Sequence, residues 1–399
     1  MPGPLHGIKV IDLTSMVSGP LTTMILADQG ADVIKIENPN GGDHTRGVST
    51  RHGGFSASFL NNNRNKRSVA LNLKDPRGVA VLKKLVADAD VFVQNFRPGV
   101  VERMGVGEDA IRDVAPQIIY VSISGFGERG PYAAKPVYDP LVQALSGLTT
   151  IQAGSDEERP RLVRTIVPDK LTGFAGSQAI TAALFARERG AGGQHIRLSM
   201  LDAVVSFLWA SDMSGQTFVD TEIDQQRAQS FIDLIYETKD GHISVAVQSD
   251  KEWAGLSRAL GRPDYLEDER FKTVELRQHN INDRLMVTQE GLRDLTCDEC
   301  LTRLEAEDVP CAPVLRRRDV ASHPQLVASE TVMETDHPYA GRIRQARPAA
   351  RFSETPPDHR FGGPRLGAHS RDVLAASGFA ATDIEALVTD AIVATDEEA

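Results

Sequence analysis

"GIKVIDLTSMVSGPLTTMILADQGADVIKIEN", residues 7–38, decides the fold. Residues 7–14 are the apolar run of a buried strand. The next segment, 19–31, carries Pro20 near its start and Gly30 near its end, the asymmetry of a helix. Residues 32–38 read as a second strand. Strand, helix and strand in this order make a βαβ unit, which implies a parallel sheet with right-handed crossovers. The rhythm continues outward. Strands are predicted at 68–74, 90–96, 118–126 and 194–200. Helices are predicted at 76–89, 141–148, 171–189 and 201–213 from apolar positions at helical spacing. The first half is therefore expected to be a doubly wound α/β domain.

After about residue 222 the character changes. "LIYETKDGHISVAV" (234–247) holds Asp240-Gly241 between two strand-like runs, a hairpin signal. Helical patterns follow at 251–260 and 282–295, and a strand at 311–315. From about 330 the chain is rich in Pro and Gly, then ends in a helical pattern at 382–393 and an acidic tail. Three spans are expected: a large domain over 1–222, a smaller α+β domain over 223–328, and a return to the large domain over 329–399.

The chain has 399 residues, 41% of them hydrophobic and 25% charged, with a net charge of -11. That is ordinary globular composition. The negative balance speaks against nucleic acid and anionic membrane as partners. An anionic ligand would need a local basic pocket. Three cysteines, Cys297, Cys300 and Cys311, argue for a reducing compartment, and a cytoplasmic location is expected. "MPGPLHGIKV" lacks the charged start and apolar run of a signal peptide. No stretch approaches the roughly 18 apolar residues of a membrane span.

Several chemistries find no motif. Ser18-Gly19-Pro20 stands where a dinucleotide fingerprint would follow the first strand. There is no P-loop and no G-x-S-x-G elbow. "CDEC" has no second pair, and Asp298 and Glu299 would raise its thiol pKa values. It reads as ordinary helix surface and core. The histidines are scattered, and no metal site is expected.

Positive charge gathers at strand ends. Lys74, Asn95 and Arg97 sit at two predicted carboxyl ends, where doubly wound sheets bind ligands, and Arg103 follows on a short helix. They could converge on phosphates, or form a solvated basic loop with salt bridges. Phe96 is either core or a surface for an adenine ring. In "RTIVPDKLTGFAGSQ" (164–178), Asp169 stands at a helix start. It could simply meet the helix dipole, or it could be a nucleophile.

"GADVIKIENPNGGD" (30–43), "NRNKRSVALNLKDPRG" (63–78), "NFRPGVVERMG" (95–105), "YDPLVQALSGL" (138–148) and "LFARERGAGGQHIRLSMLDAV" (184–204) together resemble the class III coenzyme A transferases. That family includes the formyl-CoA and carnitinyl-CoA transferases and is related to the α-methylacyl-CoA racemases. The resemblance implies a Rossmann-like large domain built from both chain ends, a small inserted domain, and an interlocked homodimer with its site between large and small domains of different subunits. It implies transfer of CoA from an acyl-CoA to a free carboxylic acid, with CoA as part of the substrate and no permanently bound cofactor. Asp169 aligns with the family's catalytic carboxylate, which would carry an aspartyl-CoA thioester. Val17 and Ser18 match positions near the thiol end of CoA. Lys74 and Arg103 match phosphate contacts, and Asn95, Phe96 and Arg97 flank the nucleotide. Lys135 and Met200 match positions along the CoA path, and Tyr138 and Asp139 an aromatic-acid pair near the reacting centre.

Three departures stand out. Asn38 occupies a position that is often basic. Val17 replaces a Gln of the formyl-CoA type, and that type's glycine-rich loop is missing near 231–241. Racemisation is the main alternative and needs two acid/base groups flanking a carbon. Tyr138 stands where the racemases carry histidine, and an ordinary phenol titrates near 10. A non-catalytic CoA-binding protein would keep Lys74 and Arg103 without needing Asp169. Arg161 and Arg164 precede Asp169. They read either as surface charges or, for Arg164, as a fork for a distal carboxylate.

Overall fold

Strand β1 (Lys9–Leu13), helix α1 (Ser18–Asp28) and strand β2 (Asp32–Glu37) form the expected βαβ unit in the computed structural model, which describes residues 3–48, 50–220 and 234–396. These residues fall into two compact units. Of the described residues, the first draws on 3–150, 160–220 and 330–396, the second on 151–159 and 234–329.

The first unit continues with β3 (Lys66–Leu71), α2 (Pro76–Val86), β4 (Val91–Gln94), β5 (Ile119–Ser124), α3 (Asp139–Leu145), α4 (Val167–Ala186), β6 (His195–Ser199) and α5 (Met200–Trp209). A terminal strand at Val393–Ala394 joins the sheet. Its spatial order is terminal strand, β3, β2, β1, β4, β5, β6. All pairs are parallel except the terminal strand, which runs antiparallel to β3. The chain steps outward from β1 to β3, then crosses back and steps out from β4 to β6. The order therefore reverses between β1 and β4, and ligands of such sheets bind beyond the carboxyl ends at that reversal. The loops after β1 and β4 meet there.

Both faces of the sheet are covered. Ile11, Ile34, Val69 and Phe92 pack beneath α2 through Leu82 and Leu85. Val10, Val33, Val91 and Ile119 face Leu26 of α1 and Ile180 and Leu184 of α4. Burial on two faces makes the strands near-continuous apolar runs, which is why they are legible.

Two departures have physical causes. β3 begins at Lys66, earlier than the apolar pattern, because Lys66 is wholly buried in a 2.9 Å ion pair with Asp12. The Pro- and Gly-rich stretch hides a hairpin, Val332–His337 with Gly341–Ala346, tied to the helix Ala57–Asn63 by Gln345 Nε2 donating to Leu60 O.

In the second unit Ile235–Glu237, His242–Val245 and Cys311–Pro313 form an antiparallel sheet, with the turn at Asp240-Gly241. Helices Asp250–Ala259, Ile281–Leu292 and Cys297–Ala306 accompany a core of Trp253, Tyr265 and Phe271. "CDEC" opens the last helix behind a Thr296–Glu299 capping box. Burial pushes the Cys300 thiol up to about 11. Of the region expected to lack a glycine-rich loop, residues 231–233 lie outside the described residues, as does the expected domain boundary at 222. Among the described residues no helix is long and apolar enough to cross a membrane, and no cluster of His, Cys, Asp and Glu could hold a metal ion.

Candidate active site

Asp169 sits in the first turn of α4, but its carboxylate caps no N–H of its own helix. Oδ1 instead accepts the Ser18 N–H, at 3.2 Å, from the first turn of α1. Val17, the N-cap of α1, offers no side-chain acceptor, so this backbone donor is left for Asp169. Glycines make the meeting possible. A Cβ on Gly173 would lie 2.8 Å from Leu21 Cδ2, and one on Gly176 2.7 Å from Thr22 Oγ1. Gly173 follows Asp169 by one helical turn, so both share the face turned to α1. Thr22 Oγ1 donates to Gly173 O at 3.2 Å across the same seam.

A second carboxylate approaches from α3. Asp139 is buried, and its Oδ2 accepts the Asp169 N–H at 3.4 Å. Gln143, one turn later, donates to Asp139 Oδ1 at 2.6 Å and accepts the Val163 N–H at 3.0 Å. It thereby pins the stretch leading into α4. Burial first, and the neighbouring Asp139 charge second, push the Asp169 carboxyl up to about 6 against the hydrogen bonds from Ser18. Burial also raises Asp139. A helix start alone would keep Asp169 strongly ionised. Desolvation and the second carboxylate outweigh the dipole, leaving a group that is mostly ionised at pH 7 yet more basic than an ordinary aspartate.

Val17, Ser18, Asp139 and Asp169 are thus gathered at one point. Asn95 lies at the end of β4, where its Oδ1 accepts Ser15 N–H at 3.0 Å and its Nδ2 donates to Ser15 O at 2.7 Å. Its amide already serves the loop after β1. Phe96 packs partly on the core, and its N–H donates to Gln94 Oε1 at 2.9 Å. Met200 is buried at the start of α5. Lys74, Arg97 and Arg103 are exposed, and none enters the ion pairs found among the described residues. Gly99, at φ 81°, lets the Arg103 guanidinium fold back over its turn; a Cβ there would lie 3.1 Å from Nη1. The other cations of the basic stretch are structural: Arg64 pairs with Asp28 and Arg67 with Asp32. Lys135 stacks on Tyr132, its Nζ 3.4 Å from the ring centroid, while Tyr138 is 68% exposed. Arg161 and Arg164 are also exposed.

A cavity of about 490 Å³ lies at the carboxyl ends of β4 and β5, lined by Gln94, Phe96, Gly99, Ser122 and His195 among others, but not by Asp169. Ser122 Oγ, His195 and Glu108 form a hydrogen-bonded line there, at 2.9 and 2.5 Å. Strand β5 is paired on both sides, so backbone donors for an oxyanion are not on offer at Ser122.

Gln143 and the buried charges beneath the loop after β1 escaped the sequence reading. A signal for the latter exists: Asp12 and Lys35 interrupt otherwise apolar strands, and such charges are buried only in pairs.

The profile of CoA-transferase family III matches residues 5–370. A human succinyl-CoA:glutarate CoA-transferase is 34% identical over 93% of this chain and 85% of its own. A formyl-CoA:oxalate CoA-transferase of Streptomyces coelicolor is 32% identical over 92% of this chain and 94% of its own. A solved CAIB/BAIF family protein from Brucella suis superposes with a TM-score of 0.83 at 29% identity, covering 94% and 100% of the two chains. With a family profile spanning nearly its whole length, the chain belongs to CoA-transferase family III.

Proposed function

We propose that this enzyme moves CoA from an acyl-CoA to a free dicarboxylic acid through a thioester on Asp169. The observation that carries the reading is Asp169 itself: a carboxylate raised to about 6, turned away from its own helix and held by the Ser18 N–H at the reversal point of the sheet. An Asp169 oxygen attacks the thioester carbonyl, the C–S bond breaks, and CoA thiolate leaves a mixed anhydride. The thiolate then attacks the aspartyl carbonyl, releasing the donor acid and forming aspartyl-CoA. The acceptor carboxylate runs the same steps in reverse. No external proton or water enters, and excluding water preserves the thioester. The donor at Ser18 N–H would face the aspartyl oxygen that becomes an oxyanion when thiolate attacks.

The acceptor class rests on two supports. The relatives named above act on succinyl-CoA and glutarate, or on formyl-CoA and oxalate. Arg161 and Arg164 are exposed just before α4, available to a distal carboxylate. A matrix of acyl-CoA donors against free acids, read by chromatography of the CoA esters, tests it. Dicarboxylic acceptors should dominate, and Arg164→Ala should lose that preference. Equal use of monocarboxylic acids by both forms would reject the assignment.

For CoA, the reading takes Lys74, Arg97 and Arg103 as phosphate contacts, with Asn95, Phe96, Lys135 and Met200 along its path. Arg103→Ala should weaken CoA binding by about 1–3 kcal/mol, the range of a charge-assisted hydrogen bond, and flatten its salt dependence. Unchanged calorimetric affinity in single alanine variants of all three cations would remove this site. The reading also includes a homodimer. Exposed Phe174 and Phe185 on α4, with Phe207 and Trp209 on α5, support a face covered by a second copy. Sedimentation equilibrium distinguishes two chains from one.

A further inference from the structure

The loop after β1 is held at consecutive backbone groups by side chains from elsewhere. The Thr14 N–H donates to Asp12 Oδ1 at 3.0 Å, and Thr14 O accepts from Lys35 Nζ at 2.9 Å. Ser15 N–H and O are both taken by Asn95. Met16 N–H donates to Asp43 Oδ1 at 3.2 Å. Two residues on, Ser18 N–H meets Asp169. Met16 has φ 72°, a left-handed conformation that a side chain other than glycine adopts at a cost. Met16 is 37% exposed, so its side chain is not locked in the buried core.

The anchors are themselves buried and paired. Lys35 Nζ lies 2.9 Å from Asp43 Oδ2, and Lys66 Nζ 2.9 Å from Asp12 Oδ2, with all four side chains shut off from solvent. Glu37 receives a bidentate fork from Arg46, at 2.8 and 2.7 Å, and accepts the Asp43 N–H at 3.0 Å. Asp12, Glu37 and Asp43 thus balance Lys35, Arg46 and Lys66. A buried ionic group of this size is weak as a source of stability, since desolvation consumes most of its attraction. What it supplies is fixed geometry for the backbone above it.

We propose that Asp43 and Lys35 are positioning residues for the transferase reaction: they hold Met16 in its left-handed turn, so that Ser18 N–H points at Asp169. The inference rests on Asp169 being the nucleophile. It adds that the loop's strained turn, and not only the aspartate, sets the rate.

Met16→Val is the primary test, because it penalises the left-handed turn and leaves the buried charges untouched. A β-branched residue resists positive φ. The variant should stay folded while kcat falls about tenfold or more, the scale of a sub-ångström to 1 Å misplacement. The pH-rate profile adds a readout that a merely structural role would not move. Ser18 lowers the Asp169 pKa, whereas Asp139 faces it from α3 and raises it; Lys170, beside it on α4, acts on Asp139. Losing the Ser18 donor should therefore move the acid limb upward, by about half a pH unit or more. Asp43→Asn keeps an acceptor oxygen but loses the charge that pairs with Lys35, and should show the same two changes in weaker form. Adding Met16→Gly to it should restore part of kcat, because glycine takes positive φ freely. A folded Met16→Val enzyme with the parent kcat and acid limb would overturn the proposal. So would a failure of Met16→Gly to improve a folded Asp43→Asn enzyme. Should Asp43→Asn not fold, Met16→Val decides alone. Asp169→Asn, run in parallel, separates the two ideas: if it retains transfer, the nucleophile assignment fails, and if only Met16→Val is silent, the positioning role fails.

Discussion

Asp169→Asn is expected to lower transfer by at least about a thousandfold, the scale on which removal of a covalent nucleophile acts. Fold and CoA affinity should persist, because asparagine still presents an oxygen to Ser18 N–H. Stability should not fall at pH 7, and the sign follows from the pKa. A carboxylate raised from 3.8 to about 6 on folding binds its proton more tightly in the native state. Its ionisation therefore costs folding free energy at every pH above about 6, and that cost vanishes as pH drops below 3.8. A rise of that size corresponds to something on the order of 1–3 kcal/mol. Thermal unfolding at pH 7 should show the Asn variant as stable as the parent or more so, with the difference shrinking below pH 6 and gone by about pH 3. The parent's kcat/KM should fall with an acid limb near pH 6, since protonation would remove the proposed nucleophile. Lower melting of the variant at pH 7, or a flat profile through pH 6, would oppose this account of the site.

The second large effect is expected from the helix seam. Gly173→Val places three carbons where even a Cβ lies 2.8 Å from Leu21. Leu21 is crowded at Cβ and Cγ as well as Cδ2, so rotating its tip does not relieve the clash. The helices must separate, and α4 carries Asp169 one turn away on the same face. Overpacking of this kind costs about 1–3 kcal/mol of stability. If Asp169 is the nucleophile as proposed, a displacement of about 1 Å there costs on the order of a hundredfold in kcat. Gly173→Ala should fall between parent and valine variant in both measures. A valine variant with the parent melting temperature and kcat would mean that the seam is looser than its geometry indicates.

The doubly wound sheet was legible because its strands are buried on two faces and punctuated by Pro20, Gly30 and Pro76. The start of β3 was not, because Lys66 is a buried cation in a position that looks polar and exposed. The site was legible in part. Asp169 and the turn at Val17 and Ser18 stand out by type and by their place after a strand or at a helix start. Their mutual contact spans 151 positions in sequence and depends on two helices meeting at Gly173 and Gly176. No local pattern announces such a seam. Gln143 and Asp43 were missed for a related reason: each joins a near neighbour, Asp139 or Lys35, to a backbone group more distant in sequence, at Val163 or Met16. Asn95 carries a second task that its place at a strand end does not announce: its amide is engaged with both backbone groups of Ser15.

Covalent capture shows directly whether CoA passes through Asp169. The enzyme is incubated with an acyl-CoA and no acceptor acid, quenched, digested and read by mass spectrometry, with a hydroxylamine-treated sample alongside. CoA is expected on the peptide holding Asp169, and a hydroxamate on the same residue after hydroxylamine. Asp169→Asn should show neither. Transfer that proceeds at full rate with no label on Asp169, or with the label on another residue, would contradict it.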